Sequence, residues 1–386
     1  MKNGWVTKKL GEVCEVVLGG TPRTTVPEYW GGTVPWLTPG DMGKVEGLYV
    51  SKTSRTITKK GLEAGSTMFP AASVIVSTRA PIGYVLINSV PMCTNQGCKT
   101  LVPTYEVVSE FLAYNLLGRV SELNELGTGT TFKELATGVL KNISIAFPAV
   151  AEQKRIVKKI DAAFEKIDAL KANAEKNLAN AKELFQSALD EAMRPKKGWV
   201  EKRLGEVGPV CMCKRILKSQ TNSEKGIPFY KIGTFGKKPN AYISKDVYER
   251  YRALYKFPKK GEILLSAAGT IGRTVVYDGE PAYFQDSNIV WVANGEDEVL
   301  NSYLMWFYAT SPWHVTKGAT IQRLYNENIE SAEIAFPSLA EQQEIAKRLD
   351  FLSEKAKFLE QNYARQVADC AEMRQAILRE AFEGRL

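Results

Sequence analysis

The sequence predicts an α+β fold: two similar mixed, strand-rich globular domains joined by two long antiparallel coiled-coil helices, with a pseudo-twofold internal repeat. Three observations predict it. Residues 4 to 13, GWVTKKLGEV, return at 198 to 207 as GWVEKRLGEV, with eight of ten positions identical. IAFPAVAEQ at 145 to 153 returns as IAFPSLAEQ at 334 to 342, an offset of 189. After each of these second motifs comes a long stretch with helical spacing of apolar residues. The 189 offset also pairs Ser77 with Ser266, Ile82-Gly83 with Ile271-Gly272, Gln96 with Gln285, Gly129 with Gly318 and Leu135 with Leu324. VPWL (34 to 37) answers IPFY (227 to 230) at 193, so residues have been gained or lost between. A period of that size is a duplicated domain rather than a solenoid repeat.

The first element, residues 1 to 150, is rich in Gly, Pro, Thr and aromatics. Its short apolar runs SVIVST and GYVLI, bounded by turn residues, read as strands, and SEFLAYNLLG reads as a short helix packed on them. The second element, 151 to 195, has no Gly or Pro from Ala151 to Met193. Its apolar residues fall at 156, 160, 163, 167, 170, 174, 178, 181, 185, 188 and 192, the spacing of a coiled-coil seam. About 42 such residues span roughly 63 Å as a helix. The third element, 196 to 339, repeats the strands as EILLS, RTVVY and NIVWV and the helix as NSYLMWFYATS. The fourth, 340 to 386, repeats the seam at Ile345, Leu349, Leu352, Ala356, Leu359, Tyr363, Val367, Cys370, Ile377 and Ala381. Pro148 and Pro337 stand just before the helix starts, and Pro195 ends the first helix.

A helix with one apolar stripe needs a partner. Helix one leaves the first globular part and enters the second; helix two leaves the second and must run back beside it. The pair is then antiparallel, with a domain at each end. A parallel dimer between two chains is the alternative cover for the stripe.

Composition limits the function. The chain has 386 residues, 44% hydrophobic, which is globular composition. Its apolar runs are of strand length, short of the ~20 residues of a membrane helix, and the N-terminus lacks a signal-peptide core. A cytoplasmic protein with no membrane role is expected. Six cysteines without CxxC spacing and a single histidine, His314, leave no inventory for a metal site. No phosphate loop and no HExxH is present. A catalytic histidine repeated in both copies is impossible, and no catalytic residues are assigned. The net charge of +8 divides as +3 on 1 to 150, +1 on 151 to 195, +5 on 196 to 340 and −1 on 341 to 386. The basic excess thus lies on the globular parts. Nucleic-acid, ribosomal and membrane-surface proteins share such an excess; domains about 60 Å apart, reaching sites more than one helical turn apart on duplex DNA, favour nucleic acid.

These motifs carry a family resemblance. The order of domain, long helix, domain, long helix resembles the specificity subunit of type I restriction-modification systems. So do GW-x5-LGEV opening each copy and IAFP-x3-EQ launching each helix, with G-x-TT-FKEL and GATIQRL some 16 residues upstream. The resemblance implies that each globular part is a target recognition domain, reading one half of a bipartite asymmetric site in double-stranded DNA. It implies that the helices are conserved regions, which hold two modification (adenine methyltransferase) subunits and set the spacer between half-sites. It further implies restriction (translocase and nuclease) subunits as partners. S-adenosylmethionine, ATP and magnesium would act on those partners, with no cofactor and no catalysis on this chain, in phage defence. The alternatives are a stand-alone DNA-binding or nucleic-acid scaffold protein without a methyltransferase partner, and an enzyme whose site is not recognised.

Base readout needs Arg, Lys, Asn or Gln at base edges, with Ser, Thr and backbone amides on phosphates. The candidates in copy one are Thr38, Asp41, Ser77, Thr78, Arg79, Asn95, Gln96, Thr130, Thr131 and Lys133. In copy two they are Lys231, Thr234, Ser266, Thr270, Arg273, Gln285, Asn288, Lys317, Thr320, Gln322 and Arg323. Arg79 falls opposite Ala268 in the repeat, and Arg273 opposite Tyr84, as suits domains that read different bases. Gly83, Gly272, Gly129 and Gly318 are expected to serve tight turns.

Overall fold

The computed structural model describes residues 4–129, 133–313, 323–383 and 385. The chain divides into two compact units, Met1–Glu175 with Ala364–Leu386, and Lys176–Tyr363. The division falls inside both long helices, Val150–Met193 and Leu339–Phe382. Each unit therefore holds one strand-rich domain, the start of the helix that leaves it, and the end of the other helix.

In the first unit a five-stranded sheet runs in the order Cys14–Leu18, Cys98–Pro103, Val74–Thr78, Ile82–Asn88, Tyr49–Val50. Its central strand, VIVST, is buried along its whole length, because both faces of the sheet are covered. Side chains alternate across a strand. Val74 and Val76 pack with Phe111 and Leu112 of the helix Ser109–Leu117, while Ile75 packs with Leu37, Met42 and Phe69 on the other face. Burying each such side chain stabilises the unit by about 1.5–3 kcal/mol. A smaller sheet joins Arg55–Ile57, Trp30–Leu37 and Cys93–Thr94.

The second unit repeats the plan, with Val210–Met212, Ile289–Val292, Ile263–Ser266 and Thr274–Val276 in its main sheet. Ile263, Leu265, Val290 and Val292 face one core, and Leu264 and Trp291 the other. Its smaller sheet joins Thr221–Asn222, Tyr242–Ile243, Ile227–Tyr230 and Tyr283–Phe284.

The two repeated motifs meet at the root of each domain. Val6–Lys9 of the opening motif pairs antiparallel with Ser144–Phe147 of the IAFP motif, Val6 facing Phe147; Val200 faces Phe336 in the second copy. The LGEV turn then closes on its own glutamate. The Lys9 N–H donates to Glu12 Oε2 at 2.5 Å, and the Arg203 N–H to Glu206 Oε2 at 2.8 Å. The EQ of each helix start explains the other repeated letters. Gln153 is fully buried, accepts from the Val108 N–H at 2.9 Å and donates to the carbonyls of Glu106 and Pro148 at 2.8 and 2.9 Å. Gln342, also fully buried, makes the same three bonds to Leu300, Glu298 and Pro337, each at 2.8 Å. A primary amide can accept and donate at once, so no other uncharged side chain of that length fits.

Within the first unit the helix segments run in opposite directions. Gln153 sits at the root, and so does Phe382, whose ring meets Phe111 edge-on at 5.1 Å. Farther along, Arg374 lies 4.4 Å over the Phe164 ring and pairs with Asp168. In the second unit Met193 packs on the domain core beside Ile345, and Phe185 meets Trp306 at 5.8 Å. The seam differs in detail from the spacing. Phe164 (8% exposed) and Leu189 (2%) are buried, where the spacing chose Ala163 and Ala188, and Leu170 is 55% exposed. A strict repeat of three and four drifts against 3.6 residues per turn, and the larger apolar neighbour takes the buried position.

Candidate nucleic-acid interface

The described candidates lie where strands of the main and smaller sheets end and turn, or on segments facing those ends, and the structure sorts them. Ser77, Thr78 and Ser266 are buried. The Ser77 hydroxyl accepts from the Tyr84 N–H at 2.8 Å. The Ser266 hydroxyl accepts from the Arg273 N–H at 2.9 Å and donates to the Thr270 carbonyl at 2.6 Å. These hydroxyls close the turn after the central strand and present no surface to a ligand. Gly83 and Gly272 make the same turn at φ +110° and +84°, a region that favours glycine.

Thr38 and Asp41 form a capping box on the short turn Pro39–Met42: the Asp41 N–H donates to Thr38 Oγ1 at 3.3 Å, and the Thr38 hydroxyl donates to Asp41 Oδ2 at 2.8 Å. Asn95 Oδ1 accepts from the Gly97 N–H at 3.0 Å, and exposed Gln96 pairs with Thr21. Half-buried Arg79 is bridged antiparallel to Glu134, beside exposed Lys133. Thr130 and Thr131 lie outside the described residues, as do Lys317, Thr320, Gln322 and His314.

The second unit gathers its candidates into a cleft. A cavity of about 340 Å³ is lined by Arg215, Lys218, Lys231, Gln285, Asn288 and Arg323, over Phe229 and Asp286. Gln285 Oε1 accepts from the Ile232 N–H at 2.9 Å, so its amide nitrogen is the end with hydrogens to give. Arg323 Nη2 reaches Asn288 Oδ1 at 3.4 Å. Arg215 is held by Asp286 at 2.8 Å, the carboxylate 15% and the arginine 69% exposed. Four cations against one carboxylate make the cleft positive, and three of the cations carry no ion pair among those found in the described residues. Thr234 and Arg273 stay outside it. Thr234 closes a turn on Lys231, and Arg273 Nη1 donates to the Phe235 carbonyl at 3.0 Å. Exposed Thr270 likewise lies outside the cleft.

Arg215, Lys218, Asp286 and the buried Lys99 of the first unit were not among the candidates. The run KRILK at 214 to 218 was the available signal for the first two, and a lysine within the apolar strand CKTLVP for Lys99. The structure also corrects the repeat register. The Gln285 N–H donates to the Tyr230 carbonyl as the Asn95 N–H donates to Leu37, so Gln285 takes the place of Asn95 rather than Gln96. The turn that follows is one residue longer in the second copy: Ser77 faces Cys98 in one sheet, and Ser266 faces Ile289 in the other.

The chemistry on offer is binding chemistry. Burial pushes the thiols of Cys14, Cys98 and Cys213 up to about 12 and that of Cys93 to about 11, so no thiolate nucleophile is populated there at neutral pH. Among the described residues no group of three or more His, Cys, Asp or Glu could hold a metal ion. None of the described helices is long and apolar enough to cross a membrane.

A family model described as the type I restriction modification DNA specificity domain matches residues 2–180 and 196–365. A putative type I restriction enzyme specificity subunit of Haemophilus influenzae is 60% identical over 147 residues, 38% of this chain and 38% of that protein. The MjaIX specificity subunit of Methanocaldococcus jannaschii is 36% identical over 223 residues, 53% of this chain and 51% of its own length. The chain thus spans about half or less of these curated relatives. A chain from a solved structure concerning complex assembly and conformational transition of the type I R-M system superposes with a TM-score of 0.83 at 22% identity, covering 100% of this chain and 99% of that one.

Proposed function

The chain belongs to the type I restriction modification DNA specificity family, and we propose that it reads a bipartite asymmetric site in double-stranded DNA, one half with each domain. The observation that supports this reading most is the cleft of the second unit. Arg215, Lys218 and Lys231 suit phosphates, while Gln285, Asn288 and Arg323 carry the donors and acceptors that base edges require. Arg79, Gln96 and Lys133 are the exposed or half-buried candidates of the first unit.

The chain is a cytoplasmic, non-catalytic recognition subunit on this reading. The long helices scaffold two modification subunits, adenine methyltransferases, and the restriction subunits join that complex. S-adenosylmethionine, ATP and magnesium serve the partners. Helix length sets the spacer between half-sites. Because each unit uses both helices, one heptad must be added to each; about 10 Å of added helix corresponds to roughly three base pairs.

Methylated adenines mapped in cells expressing this chain with its modification subunit should define a split asymmetric motif. The isolated chain should transfer no methyl group. Methyl transfer by the chain alone would contradict the reading, as would a continuous, symmetric motif.

A further inference from the structure

Strand Cys98–Pro103 carries a lysine where its copy carries a valine. Lys99 faces Val76 across the sheet, and Val290 faces Leu265 at the same rung of the second sheet. Lys99 is 4% exposed. Its ammonium donates to Thr78 Oγ1 at 3.1 Å, to the Leu135 carbonyl at 2.6 Å and to Glu134 Oε1 at 3.3 Å. An ammonium taken out of water is tolerated only when its hydrogens are spent in this way. All three hydrogens are spent on the two segments flanking Arg79. The Leu135 N–H donates to the Thr78 carbonyl at 2.9 Å, Glu134 bridges Arg79, and Thr128 and Glu134 exchange two backbone bonds at 2.8 and 3.0 Å.

The second unit keeps the bond across the turn and the bridge, with a valine in place of the lysine. The Leu324 N–H still donates to the Ala267 carbonyl at 2.8 Å, and Ala268 still bridges Arg323. Val290 and Leu324, however, meet only as members of an apolar core. The arginine has also changed sides. Arg79 stands on the strand turn opposite Glu134, whereas Arg323 stands on the facing segment opposite Ala268.

We propose that Lys99 is a positioning residue for DNA recognition by the first domain: it locks the turn bearing Arg79 against the segment bearing Lys133 and Glu134, so that this domain reads its half-site from a preorganised surface. Among the described residues the second domain shows no such lock, and Arg323 stands on the opposite wall. The inference rests on the reading of this chain as a DNA specificity protein. A preorganised surface loses less conformational freedom on binding, so breaking the lock lowers discrimination at this half-site in addition to any loss of stability.

The test selects duplexes from a randomised pool with the full chain and sequences the bound fraction, for the wild type and for Lys99→Met. Thermal unfolding is followed in parallel. Methionine keeps the length and apolar stem and removes the ammonium. The expected result is a loss of preference at the first half-site of about tenfold, with the second half-site unchanged. Retained preference at the first half, or equal loss at both, would overturn the proposal. If Lys99→Met does not fold, Thr78→Val and Glu134→Ala keep the lysine and remove one side-chain acceptor each. Either must weaken the first half-site alone, and no change in both overturns the proposal. A wild-type chain that selects no sequence would overturn the recognition reading and this inference with it.

Discussion

Around the two helix starts the copies share their principal bonds. Gln153 and Gln342 tie down the same three backbone groups, and Lys8–Glu106 at 2.6 Å is matched by Lys202–Glu298 at 2.5 Å. Tyr114, which donates to Asp161, is answered by Trp306, which donates to Asp350 at 3.1 Å. Around the strand ends the same copies part. Lys99 gives way to Val290, Glu134 to Arg323, Arg79 to Ala268, and a turn gains one residue. A duplicated chain keeps what both copies must do alike and changes what each must do differently. On the proposed reading, the root is the docking frame and the strand ends are the reading surface.

Breaking the frame gives the largest expected effect. Gln153→Leu leaves the Val108 N–H and two carbonyls without their partner in a buried site. At about 1–3 kcal/mol per orphaned group, the first unit should lose about 3 kcal/mol or more. Gln342→Leu should cost the second unit the same. Thermal or denaturant unfolding of the full chain checks both, and a large difference between them would break the equivalence of the roots.

Substitutions at the proposed reading surface should divide into base and phosphate effects. Arg323→Ala should cost about 1–3 kcal/mol of binding and relax the preference at one position of the second half. Lys231→Ala should weaken binding evenly across sequences and reduce the salt slope by about one. Titrations at several salt concentrations separate the two. An even loss for Arg323→Ala would move it from base to phosphate.

The smallest effect concerns pH. Before the central strand the first copy has Ser73 and the second Glu262, which is 3% exposed and accepts from the Lys259 N–H at 2.6 Å. Burial raises the Glu262 pKa above the ordinary carboxylate value. The folded state thus holds this proton more tightly than the unfolded one. The contribution is fully present below the unfolded pKa and is lost as pH rises through the folded one. Glu262→Gln keeps the acceptor and removes the charge. The second unit should then be as stable at neutral pH, or slightly more so, and lose that part of its pH dependence. Melting temperatures between pH 4 and 7 would show it; a marked loss of stability at all pH values would contradict it.

Much of the frame was legible in the sequence, because its repeated letters either pack the core or, like Gln153 and Glu12, bond backbone groups that few side chains can satisfy. GW-x5-LGEV and IAFP are two strands of one small sheet, and EQ is a buried amide. The reading surface was less legible. A serine at a strand end looks alike whether it faces solvent or closes the turn behind it, and Ser77 and Ser266 do the latter. Arg215 and Lys218 join Gln285 only through the fold of the smaller sheet, some 70 residues away in the chain. Lys99 is hidden for a related reason, since its three partners come from two other segments.

Exchanging residues 196 to 339 for those of a family relative with a different target tests the division most directly. Methylation mapping of the hybrid with its modification subunits should show one half-site changed to the relative's, with the other half and the spacer unchanged. A change in both halves, or in the spacer, would contradict a frame and a reading surface that vary independently.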